Sequence, residues 1–135
     1  MKRHQPRGIK EIKALIGYLN SCHDGSIERI SFIKKRGTDK NGNLVYLSEG
    51  FSDTDIAIEL ILNSYEGAKK NQIVILEFNN VKVFSFHQSA SFDYSDINEL
   101  KVESDKASLN FIFISTIKEV KSLTISCSQI ICIEE

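Results

Sequence analysis

The sequence is poor in the residues that separate domains. It contains a single proline, and its seven glycines are not concentrated in any run. Because flexible and semi-rigid linkers are rich in these residues, residues 1–135 are predicted to form a single domain. The composition, 41% hydrophobic and 26% charged, is typical of globular rather than disordered proteins. Within this domain, the basic residues 1–8 are predicted to be a flexible tail.

Long apolar runs are also absent. A membrane-spanning helix needs about 18 or more consecutive apolar residues, and the sequence contains no such run. The amino-terminal MKRHQPRGIKEIK is positively charged but lacks the apolar core of a secretory signal. Cys22, Cys127 and Cys132 are an odd number of cysteines, which favours free thiols in a reducing compartment. The sequence therefore predicts a cytoplasmic protein without a membrane partner.

The motifs of common catalytic and cofactor sites are missing. There is no GxxxxGKS/T phosphate loop, no GxGxxG dinucleotide loop, no GxSxG hydrolase turn, and no CxxC or HxxxH spacing for zinc. The segment Asp39–Asn43 superficially resembles a calcium loop, but Gly42 stands at its fourth position, whereas an EF-hand requires glycine at the sixth. We therefore predict no catalytic residue, no metal, no cofactor and no enzyme activity.

One short run, Cys22-His23-Asp24, combines the side chains of a nucleophilic site. A base beside a thiol can activate it, but catalytic groups of this kind normally come from separate parts of a chain. The alternative is a turn, in which Asp24 bonds backbone N–H groups and Gly25 takes a left-handed conformation. The sequence favours the turn.

Hydrophobic periodicity predicts the elements of the fold. Residues 9–21 have apolar side chains at helical spacing, which predicts one amphipathic helix: Ile9, Ile12, Leu15, Ile16 and Leu19. From Ile27 onward the period changes to two, and short β-rich runs alternate with turn residues. The predicted class is mainly β (α+β), an antiparallel β-sandwich or strongly bent sheet of about eight strands with this helix at the amino terminus.

Two polar breaks indicate hairpins, and one segment is ambiguous. Asp39–Asn43 contains Asn-Gly and predicts a hairpin tip, and Asn79-Asn80 between two β-rich runs predicts a second hairpin. Residues 56–62 alternate as a strand would, although Ser52 with Asp55 also fits a helix capping box. We predict a strand there.

Charge is unevenly distributed along the chain. Residues 1–36 hold nine Lys/Arg and three Asp/Glu, whereas the remaining residues hold eight and fifteen. The basic part lacks the interleaved aromatic residues that stack on bases, so a nucleic-acid partner is not expected. Several carboxylates cluster late in the chain, where they predict either a solvated strand face or an acidic docking surface for a basic partner: Asp93, Asp96, Glu99, Glu103 and Asp105.

Two segments resemble a known group of proteins. His23-Asp24-Gly25-Ser26-Ile27-Glu28-Arg29-Ile30, after a short helix, resembles the HDxxIxxI opening of a group of small bacterial β-rich proteins. The segment 75–81, ILEFNNV, resembles their recurring element of apolar strand, Phe, turn and Val. Some members of this group resemble immunity proteins that lie beside polymorphic toxins. The resemblance implies no catalytic residues; it implies that His23 and Asp24 fix a turn and that Ile27 and Ile30 face the core.

Taken together, these features predict a non-enzymatic interaction domain, an immunity protein that binds and neutralises a toxin. Two alternatives stay open. One is a small-molecule-binding or enzymatic domain with a pocket near His23 and His87. The other is a structural subunit of a homo-oligomer that pairs through exposed strand edges.

Overall fold

The computed structural model describes residues 1–46, 54–62, 72–89 and 93–135. It is mostly β, with one α-helix, α1 (Gly8–Tyr18), followed by a short 3₁₀ turn at Asn20–Cys22. The strands are β1 (Lys2–His4), β2 (Gly25–Lys34), β3 (Arg36–Thr38), β4 (Leu44–Tyr46), β5 (Thr54–Leu62), β6 (Gln72–Asn79), β7 (Val83–Phe86), β8 (Asp96–Ser104), β9 (Leu109–Ser115), β10 (Lys121–Cys127) and β11 (Gln129–Glu134).

Nine of these strands form one antiparallel sheet in the order β1-β11-β6-β5-β2-β8-β9-β10-β7, and β3 pairs with β4 in a separate hairpin. The sheet is open, with β1 and β7 at its two ends. The predicted count of about eight strands was too low, because the described residues contain eleven. The short strands β1, β3 and β4 have three residues each, too few to produce a recognisable alternation.

The prediction of a flexible tail at residues 1–8 is wrong for its first part. Lys2, Arg3 and His4 form β1 and pair with Glu134, Ile133 and Cys132 of β11. Sequence patterns cannot detect this pairing, because the two partners are about 130 residues apart and charged residues are common on edge strands.

The sheet changes direction where β2 meets β8. Only Gly25 and Ser26 of β2 pair with β8. After a register shift between Ile27 and Arg29, the rest of β2 pairs with β5 alone. The two parts of the sheet share one core, and Phe78 of β6 contacts Phe111 of β9 with ring centroids 5.1 Å apart. The bulge therefore lets one sheet cover both sides of its own core.

The segment Asn79-Asn80 is a corner and not the predicted hairpin. Strand β6 pairs with β5 and β11, whereas β7 pairs with β10, so the two strands that flank the segment do not pair with each other. Asn80 has a φ of 53°, a conformation that asparagine tolerates better than most residues. Its backbone N–H donates to Oδ1 of the buried Asp55 at 2.9 Å, and Nζ of Lys35 lies 3.2 Å from the same oxygen. A polar break between strands thus marks a change of direction here.

Three other predictions are confirmed. The amphipathic helix buries Ile12, Leu15 and Ile16, although it ends at Tyr18 rather than residue 21, because Asn20, Ser21 and Cys22 all have positive φ. The ambiguous segment is the strand β5. The Asp39–Asn43 loop joins β3 to β4, with positive φ at Gly42 and with two backbone N–H groups bonded to Asp39 Oδ1.

No helix in the described residues has the length and apolar character needed to cross a lipid bilayer.

Candidate partner-binding surface

The turn between α1 and β2 is anchored to β8. Nδ1 of His23 lies 2.8 Å from the carbonyl oxygen of Asn98, and the backbone N–H of Asp24 donates to the carbonyl of Ile97 at 3.1 Å. His23 and Asp24 also lie beside each other, with Nε2 and Oδ2 3.4 Å apart. Both side chains are about half exposed. These contacts hold the carboxyl end of the helix region against one strand of the sheet.

The left-handed conformation that was predicted for Gly25 occurs one residue earlier, at Asp24. Asp24, with a φ of 61°, takes the left-handed conformation, and Gly25 does not have a positive φ. Gly25 is needed because the backbone is crowded there: a Cβ atom would lie 2.9 Å from the carbonyl oxygen of Cys22 and 3.0 Å from a methyl carbon of Leu62. Further along β2, Ile27 and Ile30 are partly buried against the core.

The three cysteines are core residues. Cys22, Cys127 and Cys132 are each 0% exposed and free of disulfides. Burial raises the pKa of each thiol to about 12, so all three are protonated at neutral pH. Because the thiolate is the reactive form, the protonated Cys22 is not a nucleophile that its neighbour His23 activates. In the described ranges, no three His, Cys, Asp or Glu side chains are grouped so that they could hold a metal ion.

The five predicted acidic residues occupy two kinds of position. Asp93 and Asp105 stabilise turns: Asp93 accepts from the backbone and hydroxyl of Ser95, and Asp105 accepts from the backbone N–H groups of Ala107 and Ser108. The other three carboxylates lie on the solvent-accessible side of β8: Asp96, Glu99 and Glu103. The turn-forming pair is therefore explained by local structure, whereas the β8 carboxylates need another explanation.

Like charges crowd the first residue of β8. Partial burial and the neighbouring carboxylates of Asp93 and Glu28 raise the pKa of Asp96 above its ordinary value. Glu28 accepts a hydrogen bond from Ser26 Oγ at 2.7 Å. Within the described segments, no ion pair joins Asp96, Asp93 or Glu28 to a cation. A cluster of this kind is electrostatically unfavourable in the isolated chain.

This cluster leads to a testable prediction for Asp96. A raised folded-state pKa means that ionisation costs stability as the pH rises through and above the usual range for aspartate. We expect Asp96→Asn to increase the melting temperature at pH 7 by about 1–3 °C, a small effect because the group is solvent-screened. The increase should disappear near pH 3, where the wild-type carboxyl is itself mostly protonated. Thermal unfolding followed by circular dichroism at both pH values measures it.

Asp105→Asn is the matched control with the opposite sign. Hydrogen bonds from the Ala107 backbone, the Asn110 side chain and the Ser108 backbone lower the pKa of Asp105, so its carboxylate stabilises the fold at neutral pH and this contribution is lost in acid. The variant should therefore melt at a lower temperature than wild type at pH 7. An Asp96→Asn variant that is no more stable than wild type at pH 7 would show that the crowding is relieved by solvent.

A groove runs between α1 and β8 beside these carboxylates. It has a volume of about 280 Å³ and is lined by Lys13, Ile16, Ser21 and the residues from Glu99 to Glu103. Because β2 pairs only with the first part of β8, residues 98–104 have no neighbouring strand on this side among those described. Nζ of Lys101 lies 3.7 Å from Glu99. The groove thus offers a strand edge and charged side chains in one place.

A second polar cluster, which sequence patterns did not indicate, joins the two ends of the chain. The carboxylate of Glu134 on β11 is bonded to His4 Nε2 at 2.7 Å, Gln72 Nε2 at 2.6 Å and the hydroxyl of Tyr18 at 3.1 Å. The bond from His4, supported by Tyr18 and Gln72, holds the pKa of Glu134 below its ordinary value against the opposing effect of burial. These bonds attach β1 and α1 to the sheet.

Two cavities in the described part of the chain lie away from the predicted histidine pocket. The first, about 380 Å³, is lined by His4, Gln5, Pro6, Glu11, Ala14, Leu15 and Tyr18; the second is the groove between α1 and β8. Neither is lined by His23 or His87. His87 is exposed and contacts the ring of Tyr94, with centroids 5.0 Å apart. The structure places His23 and His87 on different strand connections and not around either cavity.

Comparison with known proteins adds no assignment. No family model matches the chain, and neither the curated proteins nor the solved structures include a significant match. The resemblance to small bacterial β-rich proteins therefore rests on its two sequence segments.

Proposed function

We propose that this chain is a non-enzymatic protein-interaction domain that binds a basic partner through the acidic side of β8, as an immunity protein binds a toxin. The binding surface consists of Asp96, Glu99 and Glu103 together with the groove between α1 and β8; we call it the β8 surface. The HDxxIxxI resemblance supports the immunity type of function, because the resembling segment forms the turn that is anchored to this strand.

The observation that carries the proposal is the uncompensated carboxylate cluster at Asp96. A carboxyl group whose pKa is raised by partial burial and by neighbouring carboxylates, as that of Asp96 is, lowers the stability of the free protein at neutral pH. A lysine or arginine of a partner would relieve this repulsion on binding and would orient the encounter through complementary charge. Such a cluster is therefore explained more simply by a binding partner than by the stability of the fold.

The groove gives the β8 surface a shape as well as a charge. An extended segment of a partner can add to a free strand edge through backbone hydrogen bonds, and side chains on either side then determine specificity. Residues 99–104 offer such an edge within the described structure, beyond the Asn98 carbonyl that His23 contacts. Ile16 and the aliphatic part of Lys13 provide an apolar wall. The small-molecule alternative is not proposed, since its expected pocket near His23 and His87 is not one of the two cavities described.

The experiment removes charge from the β8 surface without changing the shape of the side chains. The test variant is the triple substitution Asp96→Asn, Glu99→Gln and Glu103→Gln. The control variant, Glu59→Gln, Glu119→Gln and Glu135→Gln, has the same change in net charge at positions away from the β8 surface. Each tagged protein is captured at low salt from its native cells, and any stoichiometric partner is then expressed alone and with each variant.

We expect the partner to be basic and toxic on its own, and we expect wild type and the control variant to protect against it. The triple variant should lose the partner and the protection. Protection by the triple variant at the wild-type level would overturn the β8 surface as the binding site. A partner that is not toxic when expressed alone would overturn the immunity type of function but not the interaction.

A further inference from the structure

Strand β7 forms one end of the nine-stranded sheet and has a neighbour on one side only among the described strands. It pairs with β10 from Val83↔Ser126 to Phe86↔Leu123. The backbone N–H of His87 donates to the carbonyl of Ser122 at 2.7 Å. Because hydrogen-bonded residues alternate along an antiparallel pair, the N–H and C=O groups of Ser85 point to β10. Those of Phe84 and Phe86 therefore point away from the sheet.

The side chains of this edge are uncharged, and three of the four are apolar. Val83 is 56% exposed and Phe86 is 37% exposed, and the sequence of the strand is Val-Phe-Ser-Phe. On the adjoining end of β2, Phe32 is 58% exposed and contacts Phe84 edge to face, with ring centroids 5.3 Å apart. Phe32, Phe84 and Phe86 form one apolar patch beside unpaired backbone groups, and Val83 lies on the opposite face of β7.

Two other free edges of the nine-stranded sheet, those of β1 and β8, are charged. Strand β1 begins Lys2-Arg3, and the unpaired part of β8 carries Glu99, Lys101 and Glu103. Proteins commonly protect edge strands with charge, and an edge without it is prone to pair with another chain. Strand β7 lacks this protection, and its Val-Phe-Ser-Phe sequence therefore favours pairing with another chain.

We propose that β7 pairs with β7 of a second copy of this chain, antiparallel, with Ser85 on the twofold axis. In this register Phe84 and Phe86 exchange backbone hydrogen bonds with Phe86 and Phe84 of the second copy. A second copy fits because the strand is self-complementary: no charge faces a like charge, since Lys82 falls opposite Gln88 of the other copy. This interface lies on a different part of the sheet from the β8 surface, so either can be true without the other.

The interface is small. The exposed fractions of Phe32, Val83 and Phe86 correspond to roughly 250 Å² of side-chain surface in each copy, well below the area of a stable obligate dimer. We therefore expect a reversible dimer with a dissociation constant of about 10–100 µM.

Charge substitutions at Ser85 test the proposal. Ser85 is exposed, so Ser85→Lys and Ser85→Glu should leave the fold intact while placing like charges together on the twofold axis. Ser104→Lys, at the exposed end of β8, is the matched control. Sedimentation velocity from about 5 to 500 µM, a range that brackets the expected constant, measures association of the full chain, and circular dichroism verifies folding.

We expect wild type and Ser104→Lys to dimerise, each Ser85 variant to dimerise at least about tenfold more weakly, and an equimolar mixture of the two Ser85 variants to recover the dimer. Three results would overturn the proposal: wild type that stays monomeric over the whole range, a dimer that Ser85→Lys leaves unchanged, and a mixture that does not associate.

Discussion

Replacing Phe111 with alanine is expected to lower the free energy of unfolding by about 3–5 kcal/mol. Phe111 is 0% exposed and contacts the equally buried Phe78, which comes from the other part of the bent sheet. The substitution removes apolar surface and leaves a cavity in the core that joins the two parts, and close-packed interiors relax only partly around such cavities. Urea unfolding followed by circular dichroism gives the free energy directly.

The matched control for this prediction is Phe86→Ala. Phe86 lies on the edge strand β7 and is 37% exposed, so its loss should cost clearly less, about 1 kcal/mol. If the two variants were equally stable, the contact between Phe78 and Phe111 would not join the two parts of the sheet as described. Measurement below about 5 µM protein keeps the proposed dimer from contributing to either value.

Adding one methyl group at Gly25 is expected to destabilise the protein by about 2–3 kcal/mol. The new Cβ in Gly25→Ala would lie 2.9 Å from the carbonyl oxygen of Cys22 and 3.2 Å from that of Ile61. Backbone atoms cannot move aside as a flexible side chain can, so the turn or the start of β2 must shift. The same denaturant experiment measures the cost.

Gly17→Ala provides a control with the opposite sign. Gly17 is an exposed residue inside α1, and a Cβ there would meet nothing within 4 Å. Alanine is a better helix former than glycine, so this variant should be more stable by about 0.5–1 kcal/mol. Equal effects of the two substitutions would contradict the close packing of the turn against Leu62 and Cys22.

Features that depend on neighbouring residues were predictable from the sequence. The helical spacing from Ile9 to Leu19 gave the helix, the alternation in residues 56–62 gave β5, and Asn-Gly in Asp39–Asn43 gave a hairpin tip. In each case the pattern and the structure arise from contacts within a few residues. The end of the helix was less predictable, because three successive left-handed residues, Asn20 to Cys22, have no distinct composition.

Features that depend on distant residues were not predictable. A hairpin and a corner both need a polar break between strands, so Asn79-Asn80 could not show that β7 pairs with β10 rather than β6. The cluster of His4, Tyr18 and Glu134 joins residues more than 110 positions apart. For the acidic residues, the sequence indicated only the region in which they cluster. It did not show that Asp93 and Asp105 support turns. It also did not show that Glu28, from another strand, lies near Asp96 and raises its pKa.

The effect of Asp96 on the stability of the fold is connected with its proposed role in binding. The same carboxylate that weakens the free chain at neutral pH is expected to strengthen its complex with a basic partner, because the partner's cation replaces the repulsion with attraction. Asp96→Asn should therefore raise stability and lower affinity together. Such opposite effects are typical of residues that are retained for function rather than for the fold.

The most direct test is the affinity of the purified partner for wild type and for the triple variant Asp96→Asn, Glu99→Gln and Glu103→Gln, measured by isothermal titration calorimetry. We expect an affinity at least about tenfold weaker for the triple variant and a smaller difference at high salt. The control variant Glu59→Gln, Glu119→Gln and Glu135→Gln should keep the wild-type affinity. Equal affinities of the triple and control variants would contradict the β8 surface as the binding site.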